Sequence, residues 1–287
     1  MSKIKHNKIG IIGSGTMGSG IAHTFAIFGY KTLLLDLEES FLARGIESIK
    51  DNMKRQVKKG FVSQNQVDIA LSNINISTNY SSLKDYDLVI EAATENQEIK
   101  LNIFKKLDGI CSFKTVLATN TSSISIDKIS SATNRPEKVI GMHFMNPVPI
   151  MKLIEIVNGK NTSIETTKFV LDISSSIGKE AVECNDSPGF VSNRILMPMI
   201  NEAIFCLYEE VGTPEAIDTI MKLGMAHPMG PLALADLIGL DVCLNILNVL
   251  YTDFKDDKYA PCKLLVEKVE SGNLGRKTGI GFYNYNK

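Results

Sequence analysis

A glycine-rich turn near the start of the chain limits its possible folds more than any other feature. The apolar segment Lys8–Ile12 leads into Gly13-Ser14-Gly15-Thr16-Met17-Gly18, and a helical pattern then continues to about Phe28. Glycines at this spacing between a strand and a helix permit a tight turn, close approach to a pyrophosphate, and close packing of the helix on the strand. The N–H groups at the helix start attract phosphate. The pattern predicts a dinucleotide-binding α/β fold, with cofactor contacts from Gly13, Gly15, Thr16, Met17 and Gly18.

The second predicted strand ends on a carboxylate. Thr32–Asp36 is apolar up to Leu35, and Asp36 lies about 20 residues beyond the glycines, where dinucleotide-binding folds place an acidic residue on the ribose. A carboxylate there accepts hydrogen bonds from both ribose hydroxyls and repels a 2′-phosphate, so NAD (NADH) is favoured over NADP. A flavin remains compatible with the glycine motif, although nothing else in the sequence supports it.

Two domains are predicted from the change in pattern along the chain. Up to about Val182, short apolar strands alternate with helices, which is typical of a mainly parallel sheet covered on both faces. Asp186-Ser187-Pro188 is a favourable helix start, and helices are predicted after it. We therefore expect a Rossmann-type domain at 1–186 with a helical excursion near 38–72, and an all-helical domain at 187–287. The helices predicted there are Gly189–Glu210, Pro214–Leu223, Leu232–Leu250 and Cys262–Ser271.

Composition argues against several classes of protein. The formal net charge of −1 gives no general attraction to nucleic acid. The sequence contains no run of about 20 apolar residues, which a membrane span would need, and the N-terminus lacks the pattern of a signal peptide. The five cysteines are dispersed without metal-ligand spacing, as expected for reduced thiols. We expect a cytoplasmic protein with no metal site and no nucleic-acid or membrane partner.

A histidine and a glutamate lie on two successive predicted strands. His143 ends the strand Val139–His143, and Glu155 lies within Lys152–Val157. A carboxylate among aliphatic residues needs a partner, and an imidazole on an adjacent strand would provide one. Histidine is suited to remove a hydroxyl proton near neutral pH while hydride leaves the carbon, and a carboxylate would fix the ring's orientation. A structural pair without catalytic function fits the sequence equally well.

Other polar segments also allow two interpretations. Asn120–Ser123 follows a predicted strand at its carboxyl end, and Asn193 lies one turn into the first helix of the second domain. Each could bind substrate, or serve only as a helix cap or surface amide. The helical excursion carries cations that could bind the phosphates of coenzyme A, although a solvated helix face is the simpler interpretation. These cations are Lys50, Lys54, Arg55, Lys58 and Lys59.

Taken together, these residues resemble the 3-hydroxyacyl-CoA dehydrogenase family, and most closely its bacterial 3-hydroxybutyryl-CoA dehydrogenase branch. The resemblance extends over essentially the whole chain. It rests on seven segments in the same order: Gly13–Gly18, Glu91–Glu95, Asn120–Ser123, His143–Pro147, Pro188–Arg194, His227–Pro231 and Gly275–Lys277.

The resemblance implies NAD-dependent oxidation of (S)-3-hydroxybutyryl-CoA to acetoacetyl-CoA, or the reverse reduction. It implies that His143 is the general base, that Glu155 is its carboxylate partner, and that the reacting oxygens bind two further residues, Ser122 and Asn193. It also implies a helical domain that forms a homodimer, or a dimer-based oligomer, and closes over the substrate. Further cofactor contacts would come from Asp36, Glu95, Lys100, Ser122, Asn146 and Lys277, and coenzyme A contacts from Asn52, Arg55 and Lys59.

The chain departs from the family pattern at a few positions. Met145 stands where relatives commonly have Phe, and Asn52 and Arg55 are polar variants at the coenzyme A helix. Two other classes remain as alternatives. The 6-phosphogluconate-like dehydrogenases share the glycine motif but use a lysine in the interdomain helix, and Gly189–Ile204 contains none. A non-catalytic protein on the same scaffold, like some lens crystallins, would have no need of both His143 and Glu155.

Overall fold

The computed structural model of the chain describes residues 8–286. Residues 1–7, on which the expectation about a signal peptide rests, and residue 287 lie outside the described part. The chain divides into two compact units between Asp186 and Ser187. Each unit has its own cluster of buried apolar side chains.

The first unit is built on one eight-stranded sheet with the strand order β3-β2-β1-β4-β5-β6-β7-β8. Strands β1 to β6 are parallel, β7 is antiparallel to β6, and β8 is parallel to β7. The predicted Rossmann-type, mainly parallel sheet is therefore confirmed, and strand order reverses between β1 and β4, where such sheets bind ligands. The strands are β1 (Lys8–Ile12), β2 (Lys31–Leu35), β3 (Ile74–Ser77), β4 (Leu88–Glu91), β5 (Val116–Thr119), β6 (Val139–Phe144), β7 (Leu153–Asn158) and β8 (Glu180–Asn185).

Helices cover this sheet and shield its central strands from solvent. Ile9, Ile11, Leu34 and Ile90 have no exposed surface, which explains why these strands are nearly continuous apolar runs in the sequence. Helix α3 begins with a capping box between Ser63 and Gln66. The helices are α1 (Thr16–Ile27), α2 (Glu39–Lys58), α3 (Gln64–Ser72), α4 (Gln97–Ile110), α5 (Ile126–Ser130) and α6 (Ile164–Ser176).

Strand β8 is not predicted from the sequence. It pairs with β7 at the edge of the sheet, and its residues are exposed or half-buried along its whole length. A strand becomes visible in a sequence through a buried apolar face. An exposed edge strand lacks this signal, so the strands predicted from the sequence do not include β8.

The second unit is helical, as predicted, but the single helix predicted over Leu232–Leu250 is wrong. Gly239 has a φ of +107°, a conformation that glycine adopts readily and other residues avoid. The chain bends there by 98° between two helices. The helices are α7 (Ser192–Tyr208), α8 (Pro214–Gly224), α9 (Pro231–Ile238), α10 (Leu240–Phe254) and α11 (Lys263–Glu270).

Helix α7 begins at Ser192, three residues later than predicted, because Gly189 and Phe190 both have positive φ angles. Within residues 8–286, no single helix is long and apolar enough to cross a membrane. The bent pair α9 and α10 meets the length and composition criteria only when the two helices are taken together.

Helix α2 packs directly on the glycine-rich turn. Its buried face consists of Leu42, Gly45, Ile49 and Met53. A Cβ atom at Gly45 would lie 2.9 Å from both the Cβ and the carbonyl oxygen of Ser14, which is closer than such atoms can approach. The glycine therefore allows α2 to lie against the turn that is predicted to hold the cofactor.

We expect Gly45→Ala to destabilise the protein by about 1–3 kcal/mol, as overpacking does, and to weaken NADH binding by displacing Ser14. Gly109→Ala in α4 is the matched control, because a Cβ there would meet nothing within 4 Å. In such open helix positions, alanine stabilises by up to about 1 kcal/mol. Urea unfolding and NADH titration of both variants check the prediction. Equal stability of the two variants would show that α2 tolerates a side chain against the turn.

Candidate active site

The glycine-rich turn lies at the carboxyl end of β1. Gly13 has a φ of +96°. A Cβ at Gly18 would lie 1.8 Å from the carbonyl oxygen of Gly13, so the backbone of the first turn of α1 packs directly against the backbone of Gly13. A Cβ at Gly15 would meet nothing within 4 Å. Within the described chain, no side chain caps the start of α1. The N–H groups of Thr16 and Met17 at that start are therefore suited to bind a pyrophosphate.

Asp36 is fixed against the same turn. Its Oδ2 accepts hydrogen bonds from the backbone N–H and the hydroxyl of Ser14, both at 2.6 Å, and its Oδ1 accepts one from the N–H of Leu37 at 2.7 Å. The carboxylate borders a cavity of about 470 Å³, which we call the adenosine cavity because the sequence motif predicts the adenosine half of NAD beside Asp36. The cavity is lined by Ser14, Gly15, Thr16, Ser19, Asp36, Phe41, Arg44, Gly45 and Ser48.

His143 and Glu155 lie opposite one another on the antiparallel strands β6 and β7. The Nδ1 atom of His143 is 2.9 Å from Oε2 of Glu155, and the two residues are only 8% and 5% exposed. The side chains are therefore paired, as predicted from the need of Glu155 for a partner. We assign the Nδ1 proton to this hydrogen bond, which directs Nε2 away from Glu155. This arrangement suits a proton acceptor whose other nitrogen is held by a carboxylate.

The loop after β5, which carries Ser122, folds around the carboxylate of Glu95. The Oε1 atom of Glu95 accepts hydrogen bonds from the N–H groups of Ser122 at 2.9 Å and Ser123 at 3.2 Å, and from the hydroxyl of Thr121 at 2.6 Å. Burial alone would raise the pKa of Glu95, but the Lys100 ammonium and these hydrogen bonds together hold the pKa below its ordinary value. Glu95 thus positions Ser122 while remaining ionised.

A buried ion pair behind this loop involves Glu91, a residue for which the sequence suggests no role. Glu91 accepts hydrogen bonds from the Lys100 ammonium at 2.7 and 2.9 Å and from the Thr119 hydroxyl at 2.8 Å. Lys100 is 1% exposed, and its Nζ also lies 3.4 Å from Oε2 of Glu95. A buried cation requires a paired anion. A glutamate that ends an apolar strand is the sequence signal by which Glu91 could have been found.

The connection from β6 to β7 is anchored by a buried lysine that the sequence patterns also miss. The Lys179 ammonium donates hydrogen bonds to the carbonyl oxygens of Val148 and Met151, both at 2.6 Å. Burial lowers the pKa of this lysine. Because the connection follows His143 and contains Asn146, Lys179 fixes the segment that carries a predicted cofactor contact.

Two predicted site residues belong to the second unit. Asn193 lies in the first turn of α7 and is 9% exposed. The Lys277 ammonium forms a salt bridge with Asp241 of α10. Both residues have defined positions within their own unit, and their contacts with substrate or cofactor stay predictions.

The predicted coenzyme A residues lie at the C-terminal end of α2. The guanidinium of Arg55 contacts the side chain of Asn52, and Lys59 follows the last residue of the helix. Arg55 and Lys59 are exposed, and Asn52 is half-buried. These positions fit a phosphate-binding surface and a solvated helix face equally well.

Comparisons with known proteins agree with this arrangement. Residues 8–187 match the NAD-binding domain of 3-hydroxyacyl-CoA dehydrogenase, and residues 189–285 match its C-terminal domain. The chain is 52% identical to a 3-hydroxybutyryl-CoA dehydrogenase of Clostridioides difficile, over 98% of this chain and 100% of that one. It is 49% identical to the 3-hydroxybutyryl-CoA dehydrogenase of Bradyrhizobium diazoefficiens, over 97% and 95% of the two chains.

A solved structure shows the same similarity. The crystal structure of (S)-3-hydroxybutyryl-CoA dehydrogenase from Ralstonia eutropha superposes with a TM-score of 0.95 at 47% identity, and covers 98% of this chain and 100% of that one. The chain therefore belongs to the 3-hydroxyacyl-CoA dehydrogenase family, and its first unit contains the NAD-binding domain of that family. The resemblance found in the sequence is confirmed.

We expect Glu95→Gln to lower stability at neutral pH and to lose this effect in acid. A carboxylate whose pKa is lowered by folding stabilises the native state above its unfolded pKa, here near 4.5, and loses the contribution as pH falls through the folded value. Urea unfolding at several pH values should show the deficit of the variant shrinking below pH 4.5. Glu270→Gln, at the exposed end of α11, is the control. A deficit independent of pH would mean that the charge of Glu95 is unimportant.

Proposed function

We propose that this chain catalyses the NAD-dependent oxidation of (S)-3-hydroxybutyryl-CoA to acetoacetyl-CoA, or the reverse reduction. The observation that carries the proposal is the buried His143–Glu155 pair, with Nδ1 and Oε2 2.9 Å apart, in a chain of this family. The four-carbon substrate is supported by relatives named 3-hydroxybutyryl-CoA dehydrogenase at 52% and 49% identity.

His143 acts as the general base in the oxidation. Its Nε2 takes the proton of the 3-hydroxyl group, while the electrons of that O–H bond form the carbonyl and the hydrogen on C3 leaves as hydride. NAD, when bound, supplies the hydride acceptor. The Glu155 carboxylate stabilises the imidazolium that forms and keeps the ring in the orientation needed for proton transfer. In the reverse direction, the same imidazolium returns the proton to oxygen.

Ser122 binds the reacting oxygen of the substrate in this proposal, with Asn193 as the second ligand. The support for Ser122 is its fixed position: Glu95 holds its backbone N–H at 2.9 Å. Glu95 and Lys100 are also proposed to contribute to cofactor binding. The ammonium of Lys100 is buried and lies 3.4 Å from Glu95, so we propose that Lys100 acts by holding Glu95 in place. Asn146, Lys277 and Ser122 are the remaining proposed cofactor contacts.

The reaction is tested by following NADH absorbance with acetoacetyl-CoA, beside acetoacetate as the control that lacks coenzyme A. Rapid loss of NADH absorbance with the thioester only is expected.

His143→Ala should lower kcat by about 10²–10⁴-fold, the usual contribution of a general base, and leave NADH binding nearly intact. Glu155→Gln should lower kcat by a smaller factor without changing NADH affinity. A kcat close to that of the wild type in the His143→Ala variant at all pH values would show that His143 is not the general base.

We also propose that Asn52, Arg55 and Lys59 bind the coenzyme A portion of the substrate. The exposed cations Arg55 and Lys59 lie within one turn of each other at the end of α2. Charged groups of this kind form strong hydrogen bonds with phosphate oxygens. The proposal explains why the chain places a long helical excursion between β2 and β3.

We expect Lys59→Ala to raise the KM for acetoacetyl-CoA several-fold, on the order of one charge-assisted hydrogen bond, with kcat and the KM for NADH unchanged. Lys105→Ala removes an exposed cation from α4 and is the matched control. The measurement is steady-state kinetics at two ionic strengths, because screening weakens a surface contact with phosphate. An unchanged KM for acetoacetyl-CoA would show that this part of α2 is a solvated helix face and does not bind coenzyme A.

The second unit is proposed to form a homodimer or a dimer-based oligomer and to close over the substrate. Helix α8 and the residue after it expose large apolar side chains, among them Ile220 at 62%, Leu223 at 82% and Met225 at 61%. Exposed apolar groups at this density are typical of an interface. We propose the cytoplasm as the location, on the pattern of dispersed cysteines in the sequence.

A further inference from the structure

An arginine side chain, Arg44, lines the adenosine cavity, and the proposed reaction gives it no role. Helix α2 contributes Phe41, Arg44 and Ser48 to the lining of the cavity that Asp36 borders. The Arg44 guanidinium lies over the Phe41 ring, 5.0 Å from its centre. Among the ion pairs of residues 8–286, none includes Arg44. The cavity thus brings together an acidic residue and an arginine that is not neutralised by a salt bridge.

The position of Arg44 depends on the close packing of α2 on the glycine-rich turn. Gly45 allows that contact, because a Cβ there would lie 2.9 Å from the Ser14 carbonyl oxygen. The preceding residue, Arg44, is therefore held at the same cavity as the turn. Stacking on Phe41 further restricts where its guanidinium can go.

Asp36 is fixed by hydrogen bonds to the glycine-rich turn. Both hydrogen bonds from Ser14 to its Oδ2 measure 2.6 Å, so the carboxylate cannot turn away from the cavity without losing them. A 2′-phosphate on the adenosine ribose would meet this fixed negative charge and be repelled. The same phosphate would be attracted by an arginine nearby, which is how dinucleotide folds accommodate NADP.

We propose that Arg44 determines how far this enzyme tolerates a 2′-phosphate, and that discrimination between NADH and NADPH is the balance between Asp36 and Arg44. Asp36 dominates in the native chain, which makes NADH the preferred cofactor. Arg44 contributes little to NADH, because NADH carries no 2′-phosphate for it to bind. The inference concerns the cofactor site alone and does not depend on the identity of the acyl substrate.

Nucleotide binding tests the proposal without catalysis. We would measure by calorimetry the affinities for 2′,5′-ADP and 5′-AMP, which differ only in the 2′-phosphate, and then those for NADPH and NADH. The proteins are wild type, Arg44→Ala, Asp36→Asn and the double variant. Asparagine is chosen because its amide oxygen can still accept the hydrogen bonds of Ser14. Lys31→Ala, at the opposite end of β2, controls for the loss of one positive charge.

The expected results are specific to the 2′-phosphate. Asp36→Asn should tighten 2′,5′-ADP binding by about ten-fold or more, the scale of a charge-assisted contact, and the double variant should lose most of that gain. Arg44→Ala alone should weaken the binding of 2′,5′-ADP and leave that of 5′-AMP within about two-fold. Equal losses for both nucleotides would mean that Arg44 binds adenine or the 5′-phosphates. A gain retained in the double variant would also overturn the proposal.

Discussion

The contact of backbone against backbone at the glycine-rich turn is the constraint on which the first unit depends. Gly13 and Gly18 bring the turn and α1 together, and Gly45 brings α2 onto the same turn. The turn is also tied to the neighbouring strands, since the N–H of Gly13 donates to Leu35 at 2.8 Å and that of Ala92 donates to Ile12 at 2.7 Å. Three strands and two helices therefore meet at one segment, and a side chain added there would move all of them.

Carboxylates organise the rest of the site by accepting hydrogen bonds. Asp36 fixes the turn through Ser14, Glu95 fixes the loop that carries Ser122, and Glu155 orients His143. A carboxylate has acceptor capacity for about four hydrogen bonds, so one side chain can fix a whole loop. Glu95 can do this at low cost because Lys100 compensates part of its desolvation.

Most of the fold could be predicted because its signals are local in the sequence. The glycine-rich turn and Asp36 follow from spacing, and the pairing of His143 with Glu155 follows from the need of a carboxylate among aliphatic residues for a partner. Strand β8 escaped because its residues are exposed. The bend at Gly239 was missed because apolar residues continue on both sides of it, and a single glycine within such a pattern does not by itself show that the backbone turns there.

The residues that support the site were harder to predict, because their roles depend on contacts between distant segments. Glu91 meets Thr119 across 28 residues, and Lys179 meets Val148 across 31. The position of Glu91 at the end of an apolar strand is unusual in the sequence, but its partners, like those of Lys179, are identified only once the sheet order places the segments together. Motifs therefore identify the groups proposed to carry out the chemistry, whereas the three-dimensional packing identifies those that hold them in place.

The two kinds of group should differ in how substitutions affect the enzyme. A proposed reacting group such as His143 is paired with Glu155 on the adjoining strand, so its replacement removes a hydrogen bond from one buried carboxylate. Lys100 is instead buried between Glu91 and Glu95, and its replacement would leave two carboxylates without their cation. Loss of one partner from a buried ion pair typically costs about 3–5 kcal/mol. We therefore expect a larger loss of stability from replacing Lys100, which two carboxylates share, than from replacing His143, which pairs with one.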